Sequence, residues 1–170
     1  IFNRLVKEMP QVQLLFAGKD IMDIKTGIST KELMLEKFSP LAANQLVWLD
    51  NLPYEKILEQ IAKAHVVVLP SFAEALPMTW IEAMAMEKAL VTSDIGWAKE
   101  VMVNGATGFT VDPKDHQLYA ERILQLLNDP ALAKKMGTAA RERVIARFST
   151  EVVVERNIRF YAKLIGDSGY

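Results

Sequence analysis

Between Val66 and Met86 the only charged residues are Glu74 and Glu82, with seven residues between them. An ionised carboxylate is an acceptor-only group with two oxygens, suited to meeting hydroxyl donors. Pro77 suits the first turn of a helix, where its missing N–H is no loss. The helix expected from there to about Glu87 is apolar nearly all round, so it is packed on more than one side. Glu82 is its only interior charge and is costly there unless a partner satisfies it. Glu74 falls in the loop just before this helix. The free N–H groups and positive end of the helix, lying between the two acids, would attract an anion. The chemistry on offer is therefore the capture of a ligand that has both hydroxyls and an anionic group.

The elements that must position these residues follow from periodicity. His65-Val66-Val67-Val68-Leu69 is an apolar run that reads as a fully buried strand, ended by Pro70 and Ser71. Upstream, residues 1–8 read as the tail of a helix closed by Pro10, and residues 12–17 as a strand ended by Gly18. Residues 21–29 read as a loop, 30–38 as a helix, 46–49 as a strand, 50–53 as a turn and 54–64 as a helix. Downstream come strands at 90–93 and 108–111, a short helix at 98–103, and helices at 114–128 and 130–148. A last helix, capped by Ser149, covers about 149–165, and the final five residues are expected to fray. Strands alternating with helices imply right-handed βαβ units and a parallel sheet covered on both faces. The fold class is α/β: a doubly wound, Rossmann-like parallel sheet with helices on both faces. In such sheets ligands bind at the carboxyl ends of the strands.

Glu74-x7-Glu82, followed by Ala83-Met84-Ala85, resembles the signature of the group 1 retaining glycosyltransferases, in its E-G-L-P-M-x-x-x-E-A-M-A variant. The chain departs from it at Ala75, where the pattern has Gly. The resemblance continues through residues 89–96, Glu100-Val101, and Asn104-Gly105 to Gly108-Phe109, with motifs in the same order. It implies the C-terminal, donor-binding half of a two-domain GT-B enzyme. Such an enzyme moves a sugar from a nucleoside diphosphate sugar to an acceptor with retained configuration. The resemblance implies that Glu82 holds the ribose hydroxyls. It implies that Glu74 contacts the donor sugar, with a catalytic part in stabilising positive charge as the glycosidic bond breaks. Ala75, Leu76, Met78 and Thr79 would offer backbone N–H groups to the diphosphate or sugar. Gly18, at a strand's carboxyl end, and Leu52, in the segment bordering the nucleobase, complete the donor-binding set.

Each residue also has a plain structural reading. Glu82 is equally a helix glutamate bonded to a backbone amide or an arginine, and Glu74 a helix-entry carboxylate. Gly18 is equally a turn glycine, and Leu52 part of a plain turn. Lys19, after Gly18, is a candidate for meeting phosphate, and no other basic residue is assigned that role. His65 and His116 are structural, Arg141, Glu142, Arg143 and Arg147 form a solvated helix face, and Trp97 is a core or interface aromatic. Two rival functions remain: a non-catalytic domain of the same fold that binds a nucleotide or sugar phosphate, and an interaction domain in which both glutamates serve packing.

Composition bounds the rest. The chain has 170 residues, 51% of them hydrophobic and 24% charged, which suits one soluble globular domain spanning 1–170. Its net charge of -1 carries no footprint for nucleic acid. With no cysteine there is no disulfide framework and no thiolate metal site, which fits a reducing, cytoplasmic setting. No apolar run approaches the ~20 residues of a membrane span. No metal and no cofactor beyond the sugar-nucleotide substrate is implied. The first residue is Ile and the chain opens inside a helix, so we expect a domain truncated at its N-terminus and inactive alone. Its expected partners are the donor and an N-terminal acceptor-binding domain, which leaves room for peripheral membrane contact through that other half.

Overall fold

The computed structural model describes residues 1–167. The elements run α1 (Phe2–Glu8), β1 (Leu14–Ala17), α2 (Thr30–Leu35), α3 (Pro40–Ala43), β2 (Leu46–Leu49), α4 (Tyr54–Lys63) and β3 (Val66–Leu69). They continue with α5 (Met78–Ala85), β4 (Ala89–Ser93), α6 (Ala98–Val101), β5 (Phe109–Val111), α7 (His116–Asn128), α8 (Pro130–Phe148) and α9 (Thr150–Asp167). The expected alternation holds, with local corrections. The helix predicted over 30–38 stops at Leu35. A second cap follows, in which the Ser39 hydroxyl accepts from the Ala42 amide at 3.3 Å and opens α3. Pro77 lies one residue ahead of its helix, at the N-cap, and not within the first turn. Helix α9 continues through Asp167, past the expected end, and the rest of the fraying expectation falls on 168–170, outside the described residues.

Every strand pair is parallel, but the ladders form two groups. β1 pairs with β2 from Leu14–Leu46 to Ala17–Leu49. β3 pairs with β4, and β4 with β5, in the order β3-β4-β5. Among the described residues no ladder joins the two groups, whereas the pattern had suggested one continuous sheet. Periodicity identifies strands; it does not say which are neighbours.

The β3-β4-β5 sheet is covered on both faces. Val68, Val91, Phe109 and Val111 pack with Phe2 and Val6 of α1 and Tyr119 and Ile123 of α7. Val67, Leu69 and Leu90 pack with Ile61 of α4, Trp80 and Met84 of α5, and Ala140 and Val144 of α8. β4 is buried along its whole length. β1 instead alternates, with Leu15 exposed to 45%. Helix α5 is thus held between sheet and α8, which explains why its sequence is apolar nearly all round.

Helix α8 keeps the expected solvated face at Arg141, Glu142 and Arg147, all exposed, while two of its arginines also find partners. The Arg141 guanidinium donates to the Ala85 carbonyl at the end of α5, at 2.8 Å. Arg143 donates to the Glu100 and Val101 carbonyls at the end of α6, each at 2.7 Å. Two arginines therefore satisfy helix-terminal carbonyls that would otherwise lack partners. Trp97 is 59% exposed, so it is not a core aromatic.

Candidate functional site

The site forms where strands end and helices begin. β3 ends at Leu69, and the segment from Pro70 to Pro77 leads into α5 without regular structure. Ser71 organises this loop. Its hydroxyl donates to Oε1 of Glu74 at 2.6 Å, and its backbone N–H donates to the hydroxyl of Ser93 at 2.8 Å. Ser93 closes β4 and is fully buried, with its Oγ 3.4 Å from the hydroxyl of Tyr119 on α7. Glu74 is thereby tied through one serine to the carboxyl end of the central strand. Burial pushes the Tyr119 phenol up to about 12, against a smaller lowering by its Ser93 contact. Gly96 abuts the same loop. It has φ +47, and a side-chain carbon there would stand 3.2 Å from the Glu74 carbonyl.

Glu82 lies one turn into α5 and is partly buried. Oε1 accepts a hydrogen bond from the Tyr54 hydroxyl at 2.7 Å. Tyr54 opens α4, just after the turn that follows β2, so this bond brings the carboxyl ends of β2 and β3 together. The bond also raises the Tyr54 pKa above the ordinary tyrosine value, with desolvation and the Glu82 charge adding to it. Among the described residues no donor meets Oε2 of Glu82. The carboxylate is therefore fixed through one oxygen and leaves the other open to solvent or to a ligand.

Between the two acids lies the start of α5. The Trp80 and Ile81 amides both return to the Pro77 carbonyl, at 3.0 and 3.4 Å. The Met78 and Thr79 amides stand ahead of that first bond, where a helix has no carbonyl to offer them. No acidic residue compensates the first turn, so its positive end stays open to an anion. Ala75, Leu76, Met78 and Thr79 are all exposed at this end. Ala75 is not among the positive-φ residues, so the loop accommodates Ala without the strain that a left-handed conformation would bring.

The remaining predicted residues are placed less tightly. Leu52 is half-buried in the turn before Tyr54. Gly18 ends β1 with its N–H bonded to the Leu49 carbonyl at 3.1 Å, and a side-chain carbon there would meet nothing within 4 Å. Crowding does not require a glycine at that position. Lys19 is exposed beside it.

Residues 1–143 match the model for glycosyl transferases group 1. The chain belongs to this family. Among relatives of this group 1 glycosyltransferase chain is the alpha-maltose-1-phosphate synthase of Mycolicibacterium smegmatis, 36% identical over 164 residues. That match takes in 91% of this chain and 41% of the relative. Among solved structures, sucrose-phosphate synthase from Thermosynechococcus elongatus superposes with a TM-score of 0.77 at 27% identity, over 98% of this chain and 43% of that one. A glycosyltransferase from Rickettsia africae ESF-5 shares the fold with a TM-score of 0.81 at 24% identity, over 98% and 44%. The group 1 chain thus spans about two fifths of these proteins, and its fold is that of a Rossmann-like GT-B half. Among its described residues no helix is long and apolar enough to cross a membrane, and no three His, Cys, Asp or Glu side chains are grouped to hold a metal.

Four residues of the site had no sequence signal of their own. Ser71 and Ser93 are common polar residues at strand ends, and Tyr119 reads as one apolar position of an amphipathic helix. Tyr54 lies 28 positions from Glu82, a separation that no local pattern spans.

Proposed function

We propose that this chain is the donor-binding domain of a retaining glycosyltransferase that transfers a sugar from a nucleoside diphosphate sugar to an acceptor. The observation that carries this reading is the pairing of two anchored carboxylates with an uncompensated helix start. Glu74 is held by Ser71, Glu82 by Tyr54, and α5 presents its free amides between them. Glu82 accepts from the ribose hydroxyls. The Met78 and Thr79 amides, with those of Ala75 and Leu76, meet the diphosphate. Glu74 accepts from the donor sugar and opposes positive charge as the glycosidic bond loosens toward an oxocarbenium-like state. Leu52 and Gly18 border the nucleoside. The reading invokes no metal, because helix amides supply the anion site.

The interrupted ladder supports a larger protein. β1 and β3 each keep an unpaired edge, and α1 sits over the sheet face as the crossover helix of a right-handed βαβ unit would. One continuous sheet would need a further strand between these edges. An acceptor-binding domain then faces the carboxyl ends of the strands, and the working enzyme resides in the cytoplasm.

Calorimetry with UDP, GDP and ADP tests the donor site. One of the three is expected to bind, and Glu82→Ala to weaken it by about tenfold or more, the loss expected when charge-assisted hydrogen bonds go. Unchanged affinity in Glu82→Ala removes the ribose assignment.

A further inference from the structure

We propose that Tyr54 is the positioning residue for Glu82 and makes the site selective for a nucleoside diphosphate that carries an intact ribose diol. This rests on the donor-site reading above and names a specificity device within it.

The case begins with exposure. Tyr119 is fully buried, with its hydroxyl beside Ser93. Tyr54 is 54% exposed, yet its hydroxyl is engaged at 2.7 Å by a carboxylate on a different helix. A ring left open with its polar tip occupied serves the group it holds more than the core. The bond is charge-assisted and short, the strong class of hydrogen bond.

Its effect on Glu82 is preorganisation. A free glutamate side chain samples several rotamers, and ordering it opposes ligand binding. Fixed through Oε1, the carboxylate is already ordered, and Oε2 is left to accept. The consequence is selectivity. A diol donates to that fixed oxygen, whereas a sugar without hydroxyls leaves it desolvated and unpaired. Sites built around a required hydrogen bond reject the analogue that lacks it more strongly than apolar pockets reject a size change. Tyr54 differs from Glu82 in role: it touches the carboxylate, not the ligand's hydroxyls.

The experiment measures binding of UDP, GDP and ADP and of their 2′,3′-dideoxy counterparts to the full-length protein that carries this chain, and to its Tyr54→Phe and Glu82→Ala variants. Tyr54→Phe keeps the ring at an exposed position, and its thermal unfolding is expected to match the wild type. We expect the wild type to prefer the ribo form by about tenfold, and Tyr54→Phe to lose about fivefold for the ribo form and under about twofold for the dideoxy form. Equal weakening of both forms, or an unchanged ratio, overturns the proposal. The controls separate the two levels. If Glu82→Ala weakens ribonucleotide binding but Tyr54→Phe leaves the ratio intact, only the Tyr54 inference falls. If no diphosphate binds, or Glu82→Ala has no effect, the donor-site reading falls and takes the inference with it.

Discussion

The two strand groups of this domain are built to different standards. In β3-β4-β5 both faces are packed and β4 is buried at every residue. In β1-β2 no residue is fully buried, and Leu15 and Val47 stand 45% and 37% exposed. The acids follow the same division. Glu74 reaches Ser93, at the end of the buried strand, through Ser71. Glu82 looks across to Tyr54, at the start of the helix that follows β2. A fully covered sheet gives a loop a fixed floor. A half-covered one leaves part of its own apolar surface open.

Substitutions can break this contrast. Leu90→Ala, in the covered sheet and fully buried, is expected to lower unfolding free energy by about 3 kcal/mol, whereas Leu15→Ala is expected to cost under about 1 kcal/mol. Urea denaturation of both variants measures the difference, and equal losses would erase the distinction between the halves. Gly137→Ala comes next. A side-chain carbon there would stand 2.1 Å from the Glu87 carbonyl oxygen, a backbone atom in the tight turn between α5 and β4. That overpacking is expected to cost about 2 kcal/mol by the same assay.

Ser93→Ala sharpens the comparison at the site itself. It leaves the Ser71 amide without its acceptor, at an expected cost of about 1–2 kcal/mol. Nucleotide-sugar affinity should fall while Glu82 is untouched, and calorimetry with the intact donor and with the bare diphosphate separates the sugar end from the ribose end. The smallest effect is confined to alkaline pH. The folded-state pKa of Tyr119 is raised from 10.0 to about 12. A raised pKa means stability fully present below pH 10 and lost as pH climbs from there through about 12. Absorbance titration at alkaline pH should show Tyr119→Phe losing amplitude only in the latest component. An early loss would place Tyr119 outside the buried core.

Much of this was readable in advance because it depends on neighbours in sequence. The 3.6-residue and two-residue periods, the caps and the apolar run before Pro70 are local quantities. They sufficed for the βα alternation, the burial of α5 and the position of Glu74 and Glu82 relative to a helix start. The short α3 escaped because its four residues are too few to display a period. The partners of Arg141 and Arg143 were not legible, because charge on a helix says nothing of the carbonyls opposite it.

Order and type of elements, and the presence of two carboxylates flanking a helix end, were thus determined by the chain's own local chemistry. Tertiary structure decided which strands pair, which arginines close helices, and that Tyr54, 28 residues away, holds Glu82. The physical reason is range. Propensity and periodicity act over a few residues, whereas a hydrogen bond between two helices exists only after both have packed on the sheet.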